Sequence, residues 1–369
     1  MLRLPGTLMR GGTSKCWMFD EQTIPAEPSL DRILASAFGS ADPRQIDGVG
    51  GATSTTSKAA IVRRSEDPGI DVDYLFAQVG IGVDGVEWGS NCGNCATAVG
   101  LYALQTGLVA PTAPASVVTM RNRNTGAVLT TTVPTPDGIV PELGEQSVPG
   151  SAALGVPVAL GFLRPAGTST GRLLPTGNPV DRVDSVDATL IDAGAPAMLI
   201  DAASMGLSGL ESIADFAKRV PELSTLRRAA ALRMGLDAPG DPVRHAVPKV
   251  GVVGPPGDYR TSTGVEISGA DYDLAVRMVS MHAPHPSIGL TSAVAVATGV
   301  LTSGALPATL AESRPSQTSI RLGTPVGVVQ VDIELDDAKA VHAVTLHRAA
   351  RRIATAELLV PVLLRERVR

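Results

Sequence analysis

Cys92 stands among amides and a glycine in the segment NCGNC (residues 91–95), directly before a long run of small and apolar residues. The first backbone N–H groups of a helix are unpaired, and at such a position they can lower the pKa of a cysteine below about 8.5. Cys92 is therefore a candidate proton donor or acceptor near neutral pH. The alternative is that Cys92 and Cys95 are small buried apolar residues, as free cysteines often are.

Cys92 and Cys95 also form a C-x-x-C motif. A structural zinc site needs about four ligands, and Cys16 and five scattered histidines are all that remain to supply the others. A thioredoxin-like dithiol is expected in a βαβ unit, whereas the surroundings of this motif are glycine-rich and β-forming. Both a metal site and a redox function are disfavoured, and we expect no cofactor.

A second segment, DGVGGATSTTSK (residues 47–58), is a glycine-rich turn followed by hydroxyl residues that include Ser54 and Thr56 and ends at Lys58. It lacks the G-x-x-x-x-G-K-[ST] spacing and leads into an apolar strand, which disfavours a nucleotide loop. A hydroxyl-rich cradle for carboxylates fits better. Lys58 would then act as a cation or, if burial lowers its pKa, as a general base, unless it is an ordinary surface lysine.

Two further segments are ambiguous alone. MRGGTSKC (residues 9–16) is a turn of glycines and hydroxyls with two cations. SMHAPH (residues 280–285) offers His282 and His285 to a ligand, although a lone histidine is more often structural.

The elements that would position these residues are mostly short strands, with one unusual helix in each half. Residues 93–106 and 292–302 are apolar or small on every side, which predicts two helices buried all round. The strands expected in the first half are 58–62, 74–79, 117–120 and 128–133, and a loop-rich stretch follows at 134–149. In the second half we expect a strand, turn and strand over 188–201, surface helices over 211–220 and 222–234, strands over 327–335 and 340–347, and a closing helix over 351–359.

Both halves thus place β segments around one buried helix, which indicates a pseudo-twofold pair of domains. A chain of 369 residues exceeds what one core usually organises. We expect one domain over residues 1–184 with Lys58 and Cys92, and a second over residues 185–369 that completes a cleft between them.

The net charge of −5 and the absence of a basic, aromatic-rich stripe exclude nucleic acid as a natural partner. No apolar run approaches the ~18–20 residues of a membrane span. Three cysteines are too few for a disulfide scaffold, so the expected location is the cytoplasm.

Five motifs, in order, resemble the PrpF family, which includes 2-methylaconitate cis-trans isomerase, 4-oxalomesaconate tautomerase and methylitaconate Δ-isomerase. The resemblance spans almost the whole chain. The motifs are MRGGTSK (9–15), DGVGGATSTTSKAAIV (47–62), NCGN (91–94), LLPTGN (173–178) and RMVSMHAPH (277–285).

The resemblance implies the diaminopimelate-epimerase-like fold: two pseudosymmetric α+β domains, each a curved, mainly antiparallel sheet around a central helix. It also implies that Lys58 and Cys92 act on the carbon acid of the substrate, and that Thr13 and Ser14 lie in the same pocket. The remaining residues assigned to substrate binding are Ser54, Thr56, Asn91, Gly93, Asn94, Asn178, Met281, His282 and His285.

The chain departs from the family in three places. Family members commonly read SMGKPHK where this chain reads SMHAPHP (residues 280–286), so two lysines are missing. Cys16 replaces a usual glycine, and Cys95 stands where a thiol is not usual. These departures affect the substrate more than the proton chemistry.

The expected function is a cofactor-independent isomerase or tautomerase that moves a proton within a small unsaturated di- or tricarboxylate of the aconitate, methylaconitate or oxalomesaconate type. The sequence does not choose among these substrates, or among allylic shift, cis-trans isomerisation and keto-enol tautomerism. One alternative is a non-catalytic carboxylate-binding protein. An epimerase with two opposed cysteines is disfavoured because the second half has no thiol. A homodimer is the base-rate expectation.

Overall fold

The computed structural model describes residues 1–88, 91–149, 151–311 and 318–361. The chain forms two compact units: Met1–Leu160 together with Arg348–Arg369, and Gly161–His347. This division differs from the single boundary expected between residues 184 and 185. The C-terminal strand returns to pair with the first strand of the chain, and such a long-range pairing leaves no local pattern in the sequence.

The first unit is a sheet that carries a helix on each face. Its helices are α1 (Leu30–Phe38) and α2 (Gly93–Gln105). Its strands are β1 (Leu2–Gly11), β2 (Ser14–Asp20), β3 (Lys58–Arg64), β4 (Val72–Val79), β5 (Val86–Glu87), β6 (Ala115–Asn122), β7 (Val128–Pro134), β8 (Gln146–Val148), and parts of β9 (Ser151–Leu163) and β20 (Val341–Val360), within which the division falls.

The second unit also alternates strands with a few helices. Its helices are α3 (Ile213–Ala217), α4 (Val220–Arg233), α5 (Leu290–Val300) and α6 (Leu306–Leu310). Its strands are β10 (Asp181–Val183), β11 (Val186–Ala193), β12 (Ala195–Asp201), β13 (Lys249–Gly254), β14 (Tyr259–Arg260), β15 (Glu266–Ile267), β16 (Leu274–Ser280), β17 (Ala283–Pro284), β18 (Ser319–Thr324) and β19 (Gly327–Leu335).

The two units repeat one order of strand pairing. In the first, β1–β2 is antiparallel, β2–β3 parallel, β3–β4 antiparallel, β4–β6 parallel and β6–β7 antiparallel. In the second, the same sequence of pairings runs through β11–β12, β12–β13, β13–β16, β16–β18 and β18–β19. Helix α2 follows β4 and helix α5 follows β16, so each helix has the same place in its unit.

Helices α2 and α5 confirm the expectation of buried central helices. Every residue of α5 is buried, as are most residues of α2. Small residues allow this close packing: a Cβ added at Gly100 of α2 would lie 1.7 Å from Thr131 Oγ1 of β7. A bulkier helix would not fit against the sheet.

Most other predicted elements are confirmed, with ends shifted by a few residues. The expected closing helix over residues 351–359 is wrong, because this segment belongs to β20 and pairs antiparallel with β1. Its mixture of arginines and apolar residues suits a strand with one buried face as well as a short helix. None of the described helices is both long and apolar enough to span a bilayer.

Candidate active site

The start of α2 is packed against the turn between β1 and β2. A Cβ on Gly11 would lie 2.0 Å from the carbonyl oxygen of Asn94, and Gly12 has a left-handed backbone with a φ of +51°. Only glycine allows this approach without strain. The Asn94 Nδ2 group donates a hydrogen bond to Thr13 Oγ1 at 3.1 Å, which joins the GGTSK and NCGN motifs.

The hydroxyl-rich loop before β3 joins the same region. The Lys15 backbone N–H donates to the carbonyl oxygen of Thr55 at 2.9 Å. Within the loop, the hydroxyls of Thr53 and Thr56 are 2.7 Å apart. Ser14 is buried, whereas Ser54 is exposed. Three sequence motifs that lie up to 80 residues apart therefore meet around the first turn of α2.

Lys58 is the first residue of β3 and is only 7% exposed. Its Nζ donates a hydrogen bond to Gln78 Oε1 at 2.6 Å and lies 5.0 Å from the centroid of the Phe76 ring. Gln78 is the cross-strand partner of Lys58 on β4, and its own Nε2 donates to the carbonyl oxygen of Ser57 at 3.0 Å. The ammonium group is thus fixed in place by two neighbours on β4.

Three thiols lie around this lysine. Cys92 is the N-cap residue of α2 and is partly exposed, whereas Cys16 on β2 and Cys95 in the first turn of α2 are buried. Cys92 raises the pKa of Lys58 most strongly, followed by Cys95 and Cys16, and Cys95 in turn acts on the pKa of Cys92, so the four side chains lie close together. We call Lys58 and these three cysteines the lysine–thiol cluster.

The pKa of Lys58 differs from the expectation. Burial by itself lowers this pKa, but the negative charges that the neighbouring thiols can carry, that of Cys92 first, outweigh burial and raise the pKa of Lys58 above its ordinary value. The condition under which the sequence allowed Lys58 to act as a base, a pKa lowered by burial, is therefore not met in the unliganded protein, because the thiols act against burial. Lys58 is an ammonium ion at neutral pH.

The pKa of Cys92 was also misjudged. The hydrogen bond with Cys95 and then burial raise the pKa of the Cys92 thiol well above its ordinary value, although the Lys58 charge and the backbone amide of Cys95 act in the opposite direction. The amide contributes the helix N-terminal effect that the sequence predicted. It is outweighed, so Cys92 is a protonated thiol at neutral pH.

Asn91 and Gly93 complete the helix start. Asn91 Oδ1 accepts a hydrogen bond from the Tyr74 hydroxyl at 3.0 Å, and Gly93 is the first residue of α2, whose carbonyl oxygen accepts from Thr97 Oγ1 at 2.9 Å. Burial raises the pKa of Tyr74, so its hydroxyl stays a neutral donor. These contacts fix the orientation of the peptide groups beside Cys92.

Four predicted site residues belong to the second unit, where we describe them by their own contacts. Asn178 Nδ2 donates to Asp181 Oδ1 at 3.2 Å. Met281 has a left-handed backbone with a φ of 57°, and the His282 ring lies 4.2 Å from that of His245. His285 Nδ1 accepts a hydrogen bond from a backbone N–H at 3.0 Å. Their roles in substrate binding stay predictions.

Sequence reasoning missed Gln78, Phe76 and the contribution of Cys16 and Cys95. A signal for Gln78 was present: it is a polar residue at the end of an otherwise apolar strand that pairs antiparallel with the strand that Lys58 begins. Nothing local in the sequence brings Cys16 to the other two thiols. Within the described ranges, no three His, Cys, Asp or Glu side chains converge as a metal site.

Comparison with solved structures first defines the fold class of the chain. A hydroxyproline epimerase from Agrobacterium vitis is 12% identical, covers 96% of this chain and 92% of its own, and superposes with a TM-score of 0.55. That likeness shows the fold alone. Together with the repeated order of strand pairing, it assigns the chain to the α+β, diaminopimelate-epimerase-like fold.

Closer relatives then give the family. The profile of the PrpF protein family matches residues 1–361. The (4E)-oxalomesaconate Delta-isomerase of Novosphingobium sp. is 38% identical over 95% of both chains, and the 2-methyl-aconitate isomerase of Cupriavidus necator is 36% identical over 98% of both. The crystal structure of a methylitaconate-delta-isomerase is 33% identical, covers 97% of this chain and 96% of its own, and has a TM-score of 0.84. The chain belongs to the PrpF family, and it is an isomerase.

Proposed function

We propose that this protein moves a proton within a small unsaturated di- or tricarboxylate, and that Lys58 and Cys92 carry the proton. The observation that supports this most directly is the buried Lys58 ammonium close to Cys92 at the start of α2, where Cys92 is the group that raises the pKa of Lys58 most strongly. The relatives named above act on oxalomesaconate, methylaconitate and methylitaconate, all of which are unsaturated polycarboxylates. We propose no cofactor for the reaction.

The raised pKa values specify which form of the pair reacts. At neutral pH the resting pair holds an ammonium and a thiol, so neither group can accept a proton. Loss of one proton gives either a neutral amine beside a thiol or an ammonium beside a thiolate, and the proximity of the two groups lets these two forms exchange. The pair therefore titrates as a unit, and its singly deprotonated form is the base.

In that form, the Lys58 amine removes a proton from the carbon next to, or vinylogous to, a carboxylate. The resulting dienolate spreads its charge onto the substrate carboxylates. Lys58, now an ammonium ion, returns the proton at the far end of the allyl unit, while Cys92 serves as the partner acid or base. Thr13, Ser14 and the N–H groups after Cys92 are the donors proposed to stabilise this charge.

Epimerisation by two opposed thiols does not fit the chain as well. All three cysteines lie at positions 16, 92 and 95, and every one of them belongs to the first unit. They act on one another's pKa values and therefore lie close together, instead of on opposite sides of a substrate carbon.

Free thiols are stable in a reducing compartment, which favours the cytoplasm as the location we propose. We further propose a homodimer on the base rate for enzymes of this size.

The proposed function is tested by incubation with a panel of unsaturated di- and tricarboxylates in deuterium oxide, followed by proton NMR. We expect one panel member to be isomerised, with deuterium at the positions between which the double bond moves. The matched variants are Lys58→Met, which should lose deuterium incorporation, and Lys218→Met at an exposed surface lysine, which should keep it.

Two results would contradict the proposal. If Lys58→Met keeps wild-type deuterium incorporation, Lys58 does not carry the proton. If no panel member exchanges or isomerises with the wild-type protein, the substrate class is wrong.

A further inference from the structure

We infer that Arg348 binds a carboxylate group of the substrate, at an anion subsite on the face of β20 that is turned to the first turn of α2. This inference rests on the proposed function and identifies one group that would recognise its substrate class. Arg348 lies in the segment of β20 that belongs to the first unit. Its chemistry was not apparent from the sequence, in which the charged residues of the C-terminal part read as an ordinary solvated surface.

The first observation is that Arg348 is a buried cation with no side-chain partner among the described residues. It is 7% exposed, yet no described residue accepts a hydrogen bond from its guanidinium group or forms an ion pair with it. Other buried arginines donate hydrogen bonds to backbone carbonyl oxygens, although Arg227 Nε has no partner among the described residues. Arg227 donates to two of them at 2.6 and 2.9 Å, and Arg277 donates to three, at 2.8, 2.9 and 3.1 Å.

The second observation is the position of Arg348 next to the GGTSK turn. Ala350 pairs with Gly11 on β1, and the Gly12 backbone N–H donates to the carbonyl oxygen of Ala349 at 2.9 Å. Arg348 directly precedes Ala349 on β20, so it lies next to the position at which β1 ends and the GGTSK turn begins.

The alternation of the strand gives the direction of the side chain. A Cβ on Gly11 would meet Asn94 at the start of α2, so that face of β1 is turned to the helix N-terminus. Directly opposed residues of an antiparallel pair share a face, and so do residues two apart on one strand. Ala350 and Arg348 hence lie on the face that Gly11 presents to the first turn of α2.

An unpaired buried charge is costly, and proteins retain such groups mainly where a ligand completes them. Burial lowers the pKa of Arg348 to about 10, so the guanidinium is still charged at neutral pH. A planar guanidinium binds a carboxylate through two parallel hydrogen bonds. A polycarboxylate would thus supply the missing counter-charge while a second carboxylate and the reacting carbon lie at the cluster.

The test measures binding of tricarballylate, a saturated tricarboxylate that cannot be isomerised, by titration calorimetry. We expect Arg348→Gln to bind it about tenfold or more weakly than wild type, the loss of one charge-assisted hydrogen-bonded pair. Arg348→Lys should lie between them, because it keeps the charge without the fork. Arg351→Gln, at a half-buried arginine of the same strand, should bind within about twofold of wild type.

Thermal unfolding of the empty proteins separates a ligand group from a structural one. Removal of an unpartnered buried charge should leave the melting temperature of Arg348→Gln unchanged or raise it. For a residue whose role is structural, the melting temperature should fall. With the substrate found in the NMR panel, KM should rise in Arg348→Gln while kcat changes little.

The inference is overturned if wild type does not bind tricarballylate, if Arg348→Gln binds it as well as wild type, or if the empty Arg348→Gln protein is destabilised. An unfolded Arg348→Gln variant counts as this last result. These outcomes are distinct from failure of the proposed function. Arginine-dependent binding without any turnover would keep the anion subsite and reject the isomerisation, and turnover with an unchanged KM in Arg348→Gln would do the reverse.

Discussion

The starts of α2 and α5 are equivalent places in two units with one order of strand pairing, yet they differ in chemistry. Helix α2 begins at Cys92, beside the side chains of the lysine–thiol cluster. Helix α5 begins after Gly289 and offers the hydroxyls of Thr291 and Ser292, with no thiol. Lys249 begins β13 as Lys58 begins β3. The fold therefore repeats the positions for a lysine and a helix start, but only one repeat supplies the lysine and cysteine to which we assign the proton transfer.

This asymmetry shows that the pairing order of the strands does not determine the chemistry at the start of the central helix. The neighbours of the Lys58 ammonium are Gln78, Phe76 and Cys92. The two units share one order of strand pairing, so these side chains and not the backbone topology distinguish the first unit. The comparison between the units can be tested residue by residue.

The largest difference is expected between the two lysines. Lys58→Met should reduce the rate of isomerisation by about 10³-fold or more, because general acid–base groups contribute roughly 10²–10⁴-fold and Lys58 serves at both ends of the shift. Lys249→Met should cost at least tenfold less, since no thiol exists in its unit to exchange a proton with it. Both rates are measured by NMR with the same substrate, and equal losses would show that the two units contribute alike.

The second contrast concerns the helix starts. We expect Cys92→Ser to lower kcat by about 10²-fold, because a hydroxyl is a far weaker acid than a thiol and cannot supply the anionic form of the pair. Ser292→Ala at the start of α5 should change kcat by less than about fivefold. Steady-state kinetics decide this, and a large loss in Ser292→Ala would place a reacting group in the second unit.

The pH dependence of kcat/KM tests the charge states proposed for Lys58 and Cys92 in the first unit. The reacting pair must lose one proton, and the pKa values of both Lys58 and Cys92 are raised, so kcat/KM should increase as the pH rises above neutrality. The hydrogen bond with Cys95 is the largest cause that raises the pKa of Cys92. Cys95→Ala should consequently shift the rising limb to lower pH. A limb that does not move, or moves upward, contradicts this explanation.

The smallest contrast is structural and compares glycines of the two central helices. Ala at position 100 would place its Cβ 1.7 Å from Thr131 Oγ1, whereas at Gly299 the nearest atom is Pro307 Cγ at 3.0 Å. We expect Gly100→Ala to lower the free energy of unfolding by about 1–3 kcal/mol. For Gly299→Ala the change should be within about 1 kcal/mol, because better helix propensity offsets a mild contact. Urea denaturation measures both.

The sequence predicted the central helices well because a helix that is buried on every side needs a continuous run of small and apolar residues, and such a run is visible in the local sequence. It also predicted Lys58 and Cys92, the first through the family motifs and the second through the residues around a helix start. The strand over residues 351–359 was missed because its partner is β1, at the opposite end of the chain. Arg348 was missed for the same reason, since the pairing with β1 is what buries that part of β20.

The sequence by itself therefore determined the family, the fold class and the residues able to exchange a proton. Only the tertiary structure decided their charge states. A pKa depends on which groups lie within a few ångströms and on how much water they exclude, and Lys58, Cys16, Cys92 and Cys95 become neighbours only when β2, β3 and α2 pack together. Burial alone would lower the pKa of Lys58, and the helix start alone would lower that of Cys92, but the packed neighbours raise both and leave an ammonium and a thiol.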